Sequence, residues 1–200
     1  MSEARPRYTV WIDAPAGWVP VPAGGTDPGP WAAETAQQFW DAAAPDRATP
    51  GAIADTAAVL AARARDCQTR TWIHALLRLT SPEAPPAMTA ELQLLVPEGP
   101  DDPFTVDAFS AALVKRNRRA VVNREQLPAG PAVRCLRPTR GPREGLRRPT
   151  LTQVVHGIFP PQLQREGLVL VTTGTGLTKG SPALAEVDEL ATRISVEVLA

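Results

Sequence analysis

Cysteine and histidine are scarce in this chain, with two of each among its 200 residues. Cys67 and Cys135 are 68 positions apart and belong to no metal-ligand motif, so they supply neither a disulfide framework nor a zinc site. His74 and His156 both fall inside predicted strands, whereas catalytic groups concentrate on loops. The sequence therefore predicts reduced, structural cysteines, no metal and no cofactor.

One pairing of these residues stays open. If Cys135 and His156 lie on neighbouring strands, they could form a nucleophile pair. A small buried thiol and a hydrogen-bonded core imidazole account for the same two residues, and this second interpretation is favoured. The chain also has no GxSxG elbow and no HExxH motif. An enzyme is therefore not the leading hypothesis.

Long apolar runs are absent as well. No stretch approaches the roughly 20 apolar residues of a membrane helix, and the opening MSEARPRYTVWIDAPAG lacks the apolar run of a signal peptide. We therefore expect a cytoplasmic protein with no membrane partner.

Charge is balanced over the whole chain but not along it. The formal net charge is zero, yet residues 115–148 carry eleven cationic side chains against Glu125 and Glu144, a net charge of +9. Cations that end a helix stabilise it without any partner, and a solvated face is the simplest account. The segment has no aromatic residue for base stacking, so an acidic protein surface is ranked above nucleic acid as its partner. The candidate interaction residues are Arg140, Arg143, Arg147 and Arg148, with Trp18 added if it anchors a partner instead of filling the core.

Apolar periodicity predicts three to four helices. The first runs from about Pro30 to Ala44, the second starts after Thr49-Pro50, and the third begins near Asp102-Pro103 or Thr105. The last element, residues 181–199, is predicted as one amphipathic helix capped by Ser181, with an apolar stripe from Leu184 to Val198.

Strand patterns surround these helices. They are YTVWI, the proline-limited edge strand GWVPVP, TRTWIHALLRLT, AELQLLVP, PAVRCLRP, LTQVVHGIF and GLVLVTT. The last three have short links and must be mostly antiparallel. The predicted fold class is α+β, a single antiparallel-dominated sheet of about five to seven strands with three to four helices packed on it. One domain is expected over residues 1–200, with an extended arm or edge strand at 1–25 and a mobile basic turn at 138–150.

The stretch LVLVTTGTGLTKGSPALAE, residues 168–186, resembles a nucleotide-binding junction of strand, glycine loop and helix. Its GxGxxxG spacing misses the dinucleotide pattern by one residue, and the final helix leaves no room for the second strand of that fold. The pattern of an ATP-binding loop is not met either, because its lysine must follow the last glycine, whereas Lys179 precedes Gly180. A weak anion site is the remaining candidate, and glycine freedom in a connection is the favoured interpretation. The candidate residues are Gly174, Gly176, Lys179, Gly180 and Ser181.

Several motifs resemble a group of small uncharacterised actinobacterial α+β proteins. They are LPAGPAVRCLRP, VVHGIFPPQLQREGLVLVTT with the helix after it, GWVPVP and WAAETAQQFW. The layout is also similar to PsbP-like α/β/α sandwiches, and that resemblance implies an accessory or binding protein. The loop TTGTGLTKGSP departs from the group by its length and glycine content.

The leading hypothesis is a cytosolic, non-enzymatic accessory or adaptor protein that acts through contact with an unknown protein partner; homo-oligomerisation is left open. The alternative is a ligand- or nucleotide-binding domain, or an enzyme, that uses residues 174–181 as an anion site.

Overall fold

A computed structural model of the protein describes residues 7–97, 99, 105–116, 120–140, 150–163 and 165–199. Contacts divide the chain into two compact units, residues 14–91 and residues 1–13 with 92–200. The helices and strands are, in chain order, β1 (Arg7–Ile12), β2 (Trp18–Pro20), α1 (Pro28–Ala43), α2 (Pro50–Gln68), β3 (His74–Arg78), β4 (Met88–Leu95), α3 (Val106–Arg116), β5 (Val121–Leu127), β6 (Gly130–Arg140), β7 (Thr150–Ile158), β8 (Gly167–Gly174), α4 (Pro182–Thr192) and β9 (Ile194–Leu199).

Seven strands hydrogen-bond in the order β2-β3-β4-β8-β7-β6-β5, and β1 pairs with β9 in a separate two-stranded sheet. The pairs β2·β3, β5·β6, β6·β7, β7·β8 and β1·β9 are all antiparallel. With four helices among the described residues, this arrangement confirms the predicted α+β class. The short strand β2 stands at one end of the order, as the prolines of GWVPVP require.

In the unit of residues 14–91, α1 and α2 begin at sequence-encoded caps. The Asp27 side chain accepts a hydrogen bond from the Gly29 amide, and the Thr49 hydroxyl accepts one from the Ala52 amide. Small side chains fill the core between the helices, which allows the helices to approach closely. The fully buried ones include Ala32, Ala36 and Ala64.

In the other unit, the two faces of β5–β8 carry different residues. One face packs against α3, where Leu113 and Phe109 meet Val133, Cys135 and Val155. The opposite face carries Arg134 and His156 and lies beneath α4, because Asp188 of that helix contacts both side chains. A sheet with a helix on each face therefore positions the polar residues described below.

The structure corrects the last predicted element. The helix α4 ends at Thr192, and residues 194–199 form the strand β9, which pairs with β1 from Ile12↔Ile194 to Arg7↔Leu199. Ile194, Val196 and Val198 alternate with Ser195 and Glu197, and β-branched residues at period two favour a strand. The predicted helical stripe therefore stops at Ala191.

The strand β5 was not predicted from the sequence. Its residues VVNREQL pair with β6 from Val121↔Leu136 to Leu127↔Gly130. The predicted basic turn is shorter than expected, since β6 continues through Arg140 and β7 starts at Thr150. Residues 141–149 lie outside the described part of the chain. No helix of the described residues combines the length and apolar character needed to cross a membrane.

Candidate ligand-binding cleft

A polar cluster lies on the α4-facing side of the sheet. The register places Arg134 of β6 opposite His156 of β7, so their side chains share one face. Cys135 pairs with Val155 and lies in the apolar cluster on the α3 side, where burial raises the pKa of its thiol. Cys135 and His156 are thus on opposite faces, and the open hypothesis of a nucleophile pair is wrong.

Asp188 of α4 joins this cluster from above the sheet. Its Oδ1 accepts from Arg134 Nε at 2.6 Å and its Oδ2 accepts from Arg134 Nη2 at 2.9 Å. The same Oδ1 lies 3.3 Å from His156 Nε2. Burial alone would raise the pKa of Asp188, but the hydrogen bonds from His156 and Arg134 outweigh it and lower that pKa below its usual value. Asp188 is therefore ionised at neutral pH and ties α4 to β6 and β7.

Glu125 of β5 is the unsatisfied member of the cluster. Its Oε1 atom is buried and has no hydrogen-bond partner among the described residues. His156 Nε2 lies 3.6 Å from this oxygen, beyond hydrogen-bond distance, and also faces Asp188. The Nδ1 atom of His156, in a residue that is 1% exposed, also lacks a partner within the described chain. Buried polar atoms without partners are costly, so an unmet hydrogen-bonding capacity exists here.

These residues line an open cleft of about 650 Å³ between the sheet and α4. Val121, Asn123, Glu125 and Leu127 alternate along β5, so they lie on the same face of that strand. The residues from α4 recur at helical spacing and lie on one face of the helix; they are Ser181, Leu184, Ala185, Asp188 and Thr192. The lining is mixed, with apolar side chains from both the sheet and α4 beside the charged cluster and Lys179. Val121 is 58% exposed.

The structure brings together three of the five predicted anion-site residues. Lys179, Gly180 and Ser181 line this cleft at the start of α4, whereas Gly174 and Gly176 do not. The favoured interpretation gave Gly174 and Gly176 positive φ angles: Gly176 has a φ of 71°, but Gly174 is the last residue of β8 and is not among the glycines with positive φ. Gly180 adopts a φ of 82°. The Ser181 hydroxyl already accepts the Leu184 amide, and Pro182 has no amide hydrogen, so this helix start offers few free donors to an anion.

The predicted interaction residues are only partly described. Arg140 is the exposed last residue of β6, while Arg143, Arg147 and Arg148 lie outside the described residues. Trp18 is 5% exposed and belongs to the core, so this side chain is a packing residue and not a surface anchor. Within the same basic segment, Arg124 pairs with Asp107 at 2.6 Å.

A smaller cavity of about 280 Å³ lies in the unit of residues 14–91, between α1, α2 and the Pro-rich segment 82–86. Its buried polar groups include a hydrogen-bonded pair: Trp40 Nε1 donates to Thr56 Oγ1 at 2.9 Å, and that hydroxyl donates to the Pro82 carbonyl at 2.7 Å. The α4 cleft is therefore the better candidate site.

The sequence did not predict Glu125 or Asp188 as site residues. Asp188 adjoins the apolar stripe that includes Leu184, Val187 and Ala191, and a carboxylate beside such a stripe is a signal that could have marked it. Glu125 carried no comparable signal, because its strand was not predicted. No family model matches this chain, and no curated protein matches it.

Proposed function

We propose that this chain is a non-enzymatic adaptor that binds a segment of a partner protein in the α4 cleft. The observation that carries the proposal is Glu125 Oε1, a buried acceptor without a partner in the described chain, on the wall of a cleft whose lining includes apolar side chains. A cleft with apolar walls and a few convergent polar groups is the usual form of a binding site.

The arrangement of the other charged groups of the cleft favours a binding role over a catalytic one. Arg134 uses two donors on Asp188, and His156 Nε2 faces the same carboxylate. These three side chains hold each other in place, so they give the cleft a rigid wall. A preorganised wall lowers the entropic cost of binding, and in this respect it suits an adaptor.

A photo-crosslinking experiment tests this function. Benzoylphenylalanine replaces Val121 at the cleft rim, and in a matched control it replaces Trp11, which is 56% exposed on β1 and does not line the cleft. In cells of the organism that encodes the chain, the Val121 probe should crosslink one defined protein, and the Trp11 probe should not.

The substitution Ala185→Trp completes the test. Ala185 is an exposed cleft residue of α4, so an indole there should fill the cleft without disturbing the core. Crosslinking from Val121 should then disappear. Identical products from both probe positions, or products that persist beside Ala185→Trp, would contradict binding in the cleft.

A second candidate function is small-anion binding in the same cleft. It is favoured by one observation, the presence of Lys179 beside the α4 start at the cleft wall. The shortage of free amides at Ser181 and Pro182 ranks it below the adaptor.

A further inference from the structure

We propose that the partner segment binds as an added strand on the outer edge of β5 and places a lysine or arginine beside Glu125. This inference rests on the proposed adaptor function and specifies the chemistry of its partner. Three observations carry it: a strand edge that no described strand covers, a groove of matching length, and one carboxylate oxygen without a hydrogen bond within the described chain.

Among the described residues, no strand covers the outer edge of β5. This strand is the last in the sheet order. Its seven residues, at about 3.3 Å each, span roughly 23 Å. VVNREQL contains no proline and its register with β6 is continuous, so the charged side chains of Arg124 and Glu125 are the protection that this edge carries. The edge remains available for strand addition, because no described strand covers it.

The groove has the length of a short extended peptide. Its α4 wall runs from Ser181 to Thr192, and at 1.5 Å per residue this span is about 16 Å. An extended chain covers that distance in about five residues. A peptide strand in this position would bond through its backbone to β5 and present every second side chain on the side of the sheet that carries α4.

The side chains of the cleft specify the residues of the peptide. Because side chains alternate along a strand, every second residue of the added segment would face the cleft. Leu127, Leu136 and Leu184 line the cleft and favour apolar partners. Opposite charges on neighbouring strands stabilise each other, so the segment should carry a cation near Glu125.

Among the described residues, no lysine or arginine forms an ion pair with Glu125, whose contact at 3.6 Å is with His156 Nε2. Arg134 is engaged by both oxygens of Asp188. Lys179 precedes α4, whereas Glu125 lies beside Asp188, since both carboxylates approach His156 Nε2. The Glu125 side chain is 29% exposed, so a basic side chain from a partner can reach its carboxylate group from the cleft.

A selection from a random dodecapeptide phage library against the full chain tests the inference. Enriched peptides should alternate apolar residues and carry lysine or arginine at one fixed position. Their affinity should fall roughly tenfold with Glu125→Gln, the loss expected for one charge-assisted hydrogen bond. Glu197→Gln, at an exposed strand position outside the cleft, is the matched control and should leave the affinity unchanged.

Backbone N-methylation of the best peptide tests the strand geometry. Methyl groups at alternate positions should weaken binding about tenfold, because each blocks one main-chain hydrogen bond to β5. Asn123→Lys places a cation two residues from Glu125 on the same strand face, so it should also weaken the binding of basic peptides. This second variant keeps the test valid if the Glu125 variant fails to fold.

The outcomes separate the inference from the function. If Val121 crosslinks a protein but the library yields no enrichment, no basic bias or no alternating methylation effect, the strand-addition inference is wrong and the adaptor function survives. If neither the crosslinking nor the selection gives a specific product, both proposals fail.

Discussion

Both carboxylate oxygens of Asp188 in α4 accept hydrogen bonds from Arg134 in β6, at 2.6 Å from Nε and 2.9 Å from Nη2. The two residues are 54 positions apart in sequence. The Arg134 side chain is 15% exposed and that of Asp188 is 42% exposed. A bidentate pair of this kind fixes orientation as well as distance. It therefore sets how α4 lies on the sheet and how wide the cleft is.

Asp188→Asn should destabilise the fold, because it leaves the mostly buried Arg134 guanidinium without a counter-charge. We expect a loss of about 1–3 kcal/mol in the free energy of unfolding, measured by urea denaturation. Glu189→Gln is the matched control on the same helix, since Glu189 pairs with Arg193 in an exposed position, and its effect should be below about 0.5 kcal/mol. Equal effects of the two substitutions would show that the Arg134–Asp188 pair does not anchor α4.

The same carboxylate predicts a pH dependence of stability. The folded-state pKa of Asp188 is lower than its ordinary value of 3.8, so the folded state favours the ionised form. Its contribution to stability is complete above that ordinary value, and it is lost as the pH falls through the lower folded-state pKa.

Urea midpoints measured between pH 7 and pH 2 check this dependence. The wild-type chain should lose stability in the acid range, and Asp188→Asn should lose less over the same range because the titrating group is gone. Parallel pH profiles for the two proteins would mean that the acid lability comes from carboxylates other than Asp188.

The sequence predicted well those helices whose starts are marked by local residues such as a capping side chain or a proline. Thr49 and Pro50 start α2 through one side-chain cap and one fixed φ angle. The first helix starts two residues before its predicted Pro30, at Pro28, because Asp27 supplies the cap. Local chemistry determined both starts.

The cleft could not be predicted in the same way. Residues 181–199 contain apolar residues that suit a helix and also a β-branched alternation after Thr192, and only the pairing of β9 with β1 decides between them. The polar strand β5 shows little apolar alternation because its cleft-facing side is open. Glu125, Arg134, His156 and Asp188 meet only through the tertiary position of α4, which no local pattern encodes.

Gly157→Ala should destabilise the α3 side of the sheet. A Cβ atom at Gly157 would lie 2.2 Å from Phe109 Cε1, and that ring also makes an edge contact with Phe159 at 5.8 Å between centroids. Overpacking of this kind costs about 1–3 kcal/mol. Gly51→Ala in α2 is the control, because a Cβ there meets nothing within 4 Å, and it should not destabilise the fold. The measurement is the melting temperature of both variants in thermal unfolding. A Gly157→Ala protein as stable as the wild type would show that Phe109 does not pack against that glycine.

Leu184→Asp should destabilise by several kcal/mol, about 3 or more, because it buries an unpaired charge beneath α4. Leu184 is 5% exposed, whereas its neighbour Ala185 is exposed on the same helix. Ala185→Asp is therefore the matched control, and its melting temperature should stay close to that of the wild type. An unchanged melting temperature for Leu184→Asp would mean that α4 is not docked on the sheet.

Inorganic phosphate should not stabilise the chain through Lys179. A ligand that binds only the folded state raises the melting temperature by mass action, so an anion site at the α4 start would show a phosphate-dependent rise that Lys179→Ala removes. We expect no such rise, because Pro182 lacks an amide hydrogen and the Ser181 hydroxyl occupies the Leu184 amide. The titration runs from zero to millimolar phosphate at constant ionic strength, with Lys115→Ala as the control because Lys115 is the other lysine of the chain. A rise that Lys179→Ala abolishes and Lys115→Ala preserves would reverse the ranking and make anion binding the better account of the cleft.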